Sequence, residues 1–240
     1  MKLISADDPL AVTAAAAAQA GDLIGLERLL NAHPDLATAR IGEEECSRTL
    51  LHAATDWPGH FPNVASVIAL LVAAGADVNA RWHGQPAEET PLHWAASSND
   101  VVAIDALLDH GADVEANGAV LGGGNPLADA CGFGNWEAAH RLVNRGARPR
   151  LKDAAALGLV DRLEAAFAAL PHPDQDDVTK AFWSACHGGQ REAAEFLLEQ
   201  GADINWVGWD GLTPLEMARR SGMSRLVGWL STVGGRSADA

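Results

Sequence analysis

The chain has 240 residues, of which 48% are hydrophobic, and it contains 8 tryptophans and no tyrosine. This composition is that of a globular protein and excludes an intrinsically disordered chain. The formal net charge of −15 disfavours nucleic acid and anionic lipid as partners, and it favours a partner protein with a basic surface.

The N-terminal segment argues against secretion. Asp7, Asp8 and Pro9 stand where a signal peptide needs an apolar run, and the alanine run that follows is too short to cross a membrane. The three cysteines form neither a CxxC pair nor a disulfide framework. We therefore expect a soluble, cytoplasmic protein without a cofactor or a metal site. The sequence does not define the oligomeric state.

Helical segments of similar sequence recur along the chain. Quoted from their starts, three of them read TLLHAATDWPGHFPNVASVIALLVAAGADVNA from Thr49, TPLHWAASSNDVVAIDALLDHGADVEA from Thr90 and TPLEMARRSGMSRLVGWL from Thr213. With the threonine as the first position, repeats begin near Val12, Thr49, Thr90, Asn125, Pro149, Lys180 and Thr213.

The repeated positions have a physical reading. Thr90 is suited to cap a helix N-terminus, and Pro91 follows at the first helical position, where a missing N–H is tolerated. We expect His93 to hydrogen-bond to backbone or to a threonine hydroxyl. Glycines such as Gly134, nine residues after the repeat start, predict a left-handed helix end. A second helix follows, with apolar residues spaced by three and four, as at Ile104 and Leu107.

These stretches resemble the ankyrin repeat, whose signature is TPLHxA and whose period is about 33 residues. The resemblance covers nearly the whole chain. It implies an all-α solenoid of about seven helix-turn-helix repeats with short finger hairpins, forming one domain over residues 1–240 with a frayed tail at 234–240. It also implies a non-enzymatic protein–protein interaction module that binds a partner, as an adaptor, inhibitor or immunity-type protein, through a concave groove and fingers.

Charged residues cluster in the predicted fingers. Three consecutive glutamates lie in the first finger, and two more lie in the second, so that Glu43, Glu44, Glu45, Glu88 and Glu89 are candidates for an acidic rim. Such a rim steers a basic partner. The alternative is that these are solvated charges that keep the protein soluble.

Two further departures from the repeat are candidates for function. Residues 56–62 insert a loop between the helices of the second repeat, and this loop either contacts a partner or packs on itself. The spacing of 24 residues between Asn125 and Pro149 leaves no room for a finger. A notch lined by Arg148, Arg150 and Lys152 is expected there, unless this repeat has simply eroded. The notch would suit a small-molecule binder or an unusual enzyme.

Tryptophans are the candidate anchors for a partner protein, because aromatic residues dominate binding hot spots. Those in or near the predicted fingers, groove and insertion are Trp57, Trp82, Trp94, Trp206 and Trp209. No GxSxG, P-loop, HExxH or EF-hand motif is found, so no catalytic residue is predicted. Cys131 and Cys186 occupy small-residue positions of first helices and are expected to be buried and inert.

Overall fold

A computed structural model describes residues 2–84, 87–121, 123–208 and 210–239. The chain divides into two compact units, Met1–Arg148 and Pro149–Ala240. Just over half of the described residues, 54%, are helical, and the few strands among them are short. The structure therefore has the mostly helical architecture predicted from the repeats.

The first unit contains eight helices within its described residues. They are α1 (Pro9–Ala20), α2 (Leu23–Ala32), α3 (Leu50–Thr55), α4 (Val64–Ala73), α5 (Pro91–Ser97), α6 (Val101–Asp109), α7 (Pro126–Phe133) and α8 (Trp136–Asn144). The helices form consecutive pairs; the first helix of each pair packs against the first helices of neighbouring pairs, and the second helices pack against one another in the same way. Leucines and isoleucines such as Leu51, Ile68 and Leu107 fill the space between the pairs, so the core is continuous along the stack.

The first finger is the hairpin that the repeat predicts, with one unpredicted addition. Strands β2 (Arg40–Glu43) and β3 (Cys46–Arg48) pair antiparallel, with Gly42 opposite Ser47. An N-terminal strand, β1 (Leu3–Ile4), pairs parallel with β2. The buried Arg40 side chain of β2 donates from Nε to the hydroxyl of Ser47 on β3 at 2.8 Å and thereby links the two strands of the hairpin.

The second unit contains six helices within its described residues. They are α9 (Leu151–Ala156), α10 (Val160–Ala168), α11 (Gln175–His187), α12 (Arg191–Glu199), α13 (Pro214–Arg220) and α14 (Ser224–Thr232). Its core is built around Phe182 of α11, with Leu163, Leu197 and Leu230 from the second helices. No helix in the described parts of either unit is long and apolar enough to cross a membrane.

The ends of the helices follow the predicted chemistry. Thr90 caps α5 as predicted, with Pro91 at the first helical position. Gly134 ends α7 with a φ of 75°, a left-handed conformation that favours glycine. Cys131 and Cys186 are buried, and burial raises the pKa of the Cys186 thiol, as expected for inert cysteines.

Two helices begin before the repeat starts inferred from the sequence. The helix α1 begins at Pro9 rather than near Val12, because Asp8 caps it by accepting the Leu10 N–H at 2.8 Å. The helix α11 begins at Gln175 rather than near Lys180, because Asp174 accepts the Asp177 N–H at 2.8 Å. An aspartate upstream of the expected start thus extends each helix by about one turn.

Candidate functional site

The candidate site of the first unit is a surface that we call the aromatic face, consisting of Trp82, Trp94, Arg48, Asp56 and Trp57. The rings of Trp82 and Trp94 lie 6.3 Å apart, centroid to centroid. The Arg48 guanidinium lies 6.0 Å from the centroid of the Trp94 ring and pairs with Asp56 at 2.5 Å. Trp57 follows Asp56 and is 80% exposed. The face thus runs from the second finger across a first helix to the inserted loop.

Trp94 is held at this face by its neighbours in the stack. It lies on α5, one residue after the buried His93. The His52 ring of α3 meets the Trp94 ring edge-on, with the centroids 5.0 Å apart. The backbone of Trp82 is fixed as well, because its backbone N–H donates to the Glu89 carbonyl oxygen at 2.7 Å and closes the second finger. Both rings are partly exposed, so they are available for contact.

Two buried histidines connect neighbouring repeats, His52 joining the second repeat to the third and His93 joining the third to the fourth. The Nδ1 atom of His52 accepts from the Thr49 N–H, and its Nε2–H donates to the Glu89 carbonyl oxygen at 3.1 Å. His93 makes the same contacts with Thr90 and with the Gly124 carbonyl oxygen at 3.2 Å. The predicted partners of His93 are confirmed. Burial lowers the pKa of His52 to about 3 and that of His93 to about 4. Both rings are therefore neutral at physiological pH.

The two glutamates expected at the rim of the second finger lie in different environments. Glu88 is exposed, whereas Glu89 is only 8% exposed. Burial raises the pKa of the Glu89 carboxyl, and interactions with Asp129, with the Trp94 side chain and with the Val120 backbone partly oppose that rise. Glu89 is therefore a buried residue close to Trp94, and it does not belong to an exposed acidic rim.

The other predicted rim residues are exposed. Glu43, Glu44 and Glu45 lie at the turn between β2 and β3. The first and second fingers are joined by two hydrogen bonds between the backbones of Ser47 and His83, at 2.8 and 2.9 Å.

A side-chain contact extends this connection to the third finger. Arg81 of the second finger donates to the carbonyl oxygen of Asn117, and its Nη2 donates to the Asn117 Oδ1 at 2.8 Å. The three fingers therefore present a preorganised surface, in which little conformational freedom is left to lose on binding.

The inserted loop is fixed to the preceding and the following repeat by hydrogen bonds and close packing. The Asn63 side chain donates to the Gly21 carbonyl oxygen at 3.1 Å, and the His60 N–H donates to the Asp100 carboxylate at 2.7 Å. Gly59, with a φ of 74°, packs so closely on Ser98 that a Cβ atom would lie 2.7 Å from the Ser98 Cβ. The side of the loop toward α6 lines a cleft of about 240 Å³. Trp57 is thus an exposed side chain on an anchored loop.

The second unit contains the remaining predicted anchors. Trp206 is partly buried, and Trp209 lies outside the described residues. Trp183 of α11, in contrast, is buried and donates from its indole N–H to the Leu212 carbonyl oxygen at 3.0 Å. This bond corresponds to the one that His52 and His93 make in the first unit.

The residues of the predicted notch lie at the end of the first unit and the start of the second. Within the first unit, the exposed Arg148 donates its N–H to the Glu115 carboxylate at 2.7 Å. Within the second, Arg150 caps α9 and its Nε lies 3.7 Å from the carboxylate of the buried Asp153, while Lys152 is partly exposed. No group of histidine, cysteine, aspartate and glutamate in the described ranges is arranged to hold a metal ion.

Arg48 and Asp56 were not among the residues singled out from the sequence. Neither residue is unusual in type or position. Their pairing depends on the inserted loop, which brings Asp56 to the base of the first finger. The sequence signal that could have indicated this ion pair is the short separation of Arg48 and Asp56, eight residues along the chain.

Comparison with known proteins agrees with the repeat architecture. The family model described as ankyrin repeats, three copies, matches residues 63–153. The chain is 28% identical over 223 residues to a palmitoyltransferase, AKR1, of Lachancea kluyveri, a match that covers 92% of this chain and 26% of that protein. It is 29% identical over 191 residues to human Rabankyrin-5, covering 78% of this chain and 14% of that protein.

The chain therefore spans about a quarter or less of the length of these relatives. Their similarity extends well beyond the residues that the family model matches. The repeat model and the stacked helix pairs together support an ankyrin-repeat protein with an all-α solenoid architecture.

Proposed function

We propose that the protein is a non-enzymatic interaction module that binds a partner protein through the aromatic face and the fingers of its first unit. Ankyrin repeats imply a protein-interaction module. The observation that carries the proposal is the continuity of the aromatic face: Trp82 lies beside Trp94, and the Arg48–Asp56 pair connects Trp94 to the loop that carries Trp57. Partly exposed aromatic side chains on a rigid support are the usual centres of protein–protein hot spots.

The charge of the molecule supports a partner with a basic surface. Glu43, Glu44, Glu45 and Glu88 are exposed on the first two fingers, and the net charge is −15. The same charge disfavours nucleic acid and anionic membranes. The absence of a disulfide framework fits a cytoplasmic role as an adaptor or inhibitor. The palmitoyltransferase activity in the name of one relative belongs to a protein of which this chain spans 26%.

Affinity capture from the source organism, followed by mass spectrometry, tests this proposal. The double substitution Trp57→Ala and Trp82→Ala is expected to weaken the binding of a true partner by at least about 2 kcal/mol, or roughly 30-fold. The matched control is Leu170→Ala, because Leu170 is 82% exposed and lies in the second unit. A partner that binds both variants as tightly as the native protein would place the binding surface elsewhere.

A further inference from the structure

The guanidinium of Arg48 lies in a site that has the features of a cation-binding site. One side is the face of Trp94, whose ring centroid is 6.0 Å from the guanidinium carbon. The other is the Asp56 carboxylate, whose Oδ2 is 2.5 Å from Nη1. An aromatic ring beside a carboxylate is the combination that attracts an arginine or lysine side chain.

The two components of this site are positioned without help from Arg48. The Trp94 ring packs against the edge of the His52 ring at 5.0 Å and beside the Trp82 ring at 6.3 Å, measured between ring centroids. The Asp56 carboxylate is oriented by the Trp57 N–H, which donates to Oδ1 at 2.8 Å and leaves Oδ2 toward Arg48. The ring and the carboxylate would therefore keep their places if another cation replaced the guanidinium.

The Arg48–Asp56 ion pair is partly exposed to solvent. The Arg48 side chain is 35% exposed and that of Asp56 is 32% exposed, so water screens their attraction. Exposed ion pairs contribute little to stability, and an arginine side chain regains much rotational freedom when it is released. Displacement of Arg48 by another cation at the same place therefore costs little free energy.

We propose that Trp94 and Asp56 form the binding site for an arginine or lysine side chain of the partner, and that Arg48 occupies this site in the free protein. This inference rests on the proposed function and names the chemistry that the aromatic face recognises. Charge complementarity supports a basic occupant, because Glu43, Glu44 and Glu45 lie on the same hairpin as Arg48. Arg48 thus acts as an internal competitor, which a basic partner displaces.

The second unit supplies a matched control. There Arg191 lies 5.7 Å from the centroid of the Trp229 ring and pairs with Glu195 at 2.8 Å. Arg191 and Glu195 are on one helix, four residues apart, and their side chains are 57% and 42% exposed. Removing either arginine changes the net charge from −15 to −16. The hydrogen bond to the Glu195 carboxylate comes from Arg191 itself, so removing Arg191 leaves a carboxylate that nothing in the described residues orients. Removing Arg48 leaves the Asp56 carboxylate oriented by the Trp57 N–H, beside the Trp94 ring, so only this change leaves a preformed site empty.

The experiment measures the binding of a fluorescently labelled hexa-arginine peptide by anisotropy at fixed ionic strength. Arg48→Ala is expected to tighten binding by about 5-fold, since the probe no longer competes with an internal cation. Arg191→Ala is expected to change it by less than about 2-fold, the effect of one added negative charge. Arg48→Gln, which keeps most of the side-chain length, repeats the measurement if Arg48→Ala does not fold.

A second change tests the carboxylate. Adding Asp56→Asn to Arg48→Ala restores the net charge to −15 and is expected to abolish the gain in affinity. Equal tightening by Arg48→Ala and Arg191→Ala would overturn the proposal, because bulk charge would then explain both. The proposal would also be overturned if a hexa-glutamate peptide bound the native protein and Arg48→Ala abolished that binding, because Arg48 would then itself be the binding group. If captured partners depend on Trp57 and Trp82 but no Arg48 effect is seen, the proposed function stands and the cation site does not.

Discussion

His52 and His93 connect neighbouring repeats only while they are neutral. In each ring Nδ1 accepts from a threonine N–H, and protonation of Nδ1 would remove that acceptor. Burial lowers both pKa values, to about 3 and about 4, from an ordinary value of 6.5. A lowered pKa stabilises the fold above pH 6.5. This contribution is lost as the pH falls toward the folded-state values, since the unfolded chain then binds protons that the folded chain does not.

We expect the free energy of unfolding to decrease as the pH falls from 6.5 to about 4. Each histidine contributes a slope of about 1.4 kcal/mol per pH unit in the middle of this range. Urea unfolding at a series of pH values measures the slope. His52→Gln and His93→Gln should each make it shallower, whereas His172→Gln, at an exposed histidine, should leave it unchanged. Identical slopes for all three variants would contradict the assignment.

Glu89 acts in the opposite sense. Its pKa is raised above the ordinary 4.5, chiefly by burial, so its stabilising contribution is complete below pH 4.5 and is lost as the pH rises through the folded-state value.

At the scale of elements, the inserted loop of residues 56–62 is joined to the next repeat by the buried Asp100 carboxylate. The two oxygens of Asp100 accept from the His60 N–H at 2.7 Å and from the Ala103 N–H at 3.0 Å. The first bond fixes the loop, and the second caps α6. One side chain therefore couples the insertion to the start of the next repeat's second helix.

Asp100→Asn is expected to lower the free energy of unfolding by about 1–3 kcal/mol, because an amide retains one acceptor oxygen and leaves a buried N–H without a partner. Urea unfolding measures the loss. Asp113→Asn is the control, since Asp113 makes a similar contact with the Glu115 N–H at an exposed turn. Equal effects of the two substitutions would show that burial of Asp100 is unimportant.

The repeat elements could be predicted because their signals are local. A capping threonine and a first-turn proline mark the start of a helix, as Thr90 and Pro91 do for α5, and a glycine marks the end of one, as Gly134 does for α7. The position of the insertion between α3 and α4 followed in the same way. The early start of α11 was missed because Asp174, a local cap, lies outside the repeat pattern.

The candidate site was less predictable, because its contacts join different repeats. Glu88 and Glu89 are adjacent and alike in sequence, but Glu89 alone is buried, and it interacts with Trp94 and with Asp129 of the next repeat. Trp183 occupies the histidine position of its repeat, three residues after Lys180, but the partner of its indole N–H, the Leu212 carbonyl oxygen, lies 29 residues away in the chain and is set by the packing of neighbouring repeats. The partner-binding roles of Trp57, Trp82, Trp94, Trp206 and Trp209 stay predictions.

At the scale of the whole molecule, charge is the property that affects every encounter. A net charge of −15 on 240 residues attracts a basic partner at long range, before any contact forms. Long-range attraction raises the association rate more than the lifetime of the complex. The exposed glutamates of the first finger place part of this charge beside the aromatic face, so their effect should exceed that of equal charges elsewhere.

We therefore expect the association rate of the hexa-arginine peptide, measured by stopped-flow fluorescence, to fall about 10-fold or more between roughly 0.02 M and 0.5 M salt, because screening shortens the range of the attraction. Replacing Glu43, Glu44 and Glu45 by glutamine changes the net charge from −15 to −12. Neutralising three exposed carboxylates of the second unit, Asp161, Glu164 and Glu199, makes the same change. The first triple variant should associate more slowly than the second at low salt, and the two should converge at high salt. Equal rates at low salt would mean that total charge alone guides the encounter and that the first finger has no special part in it.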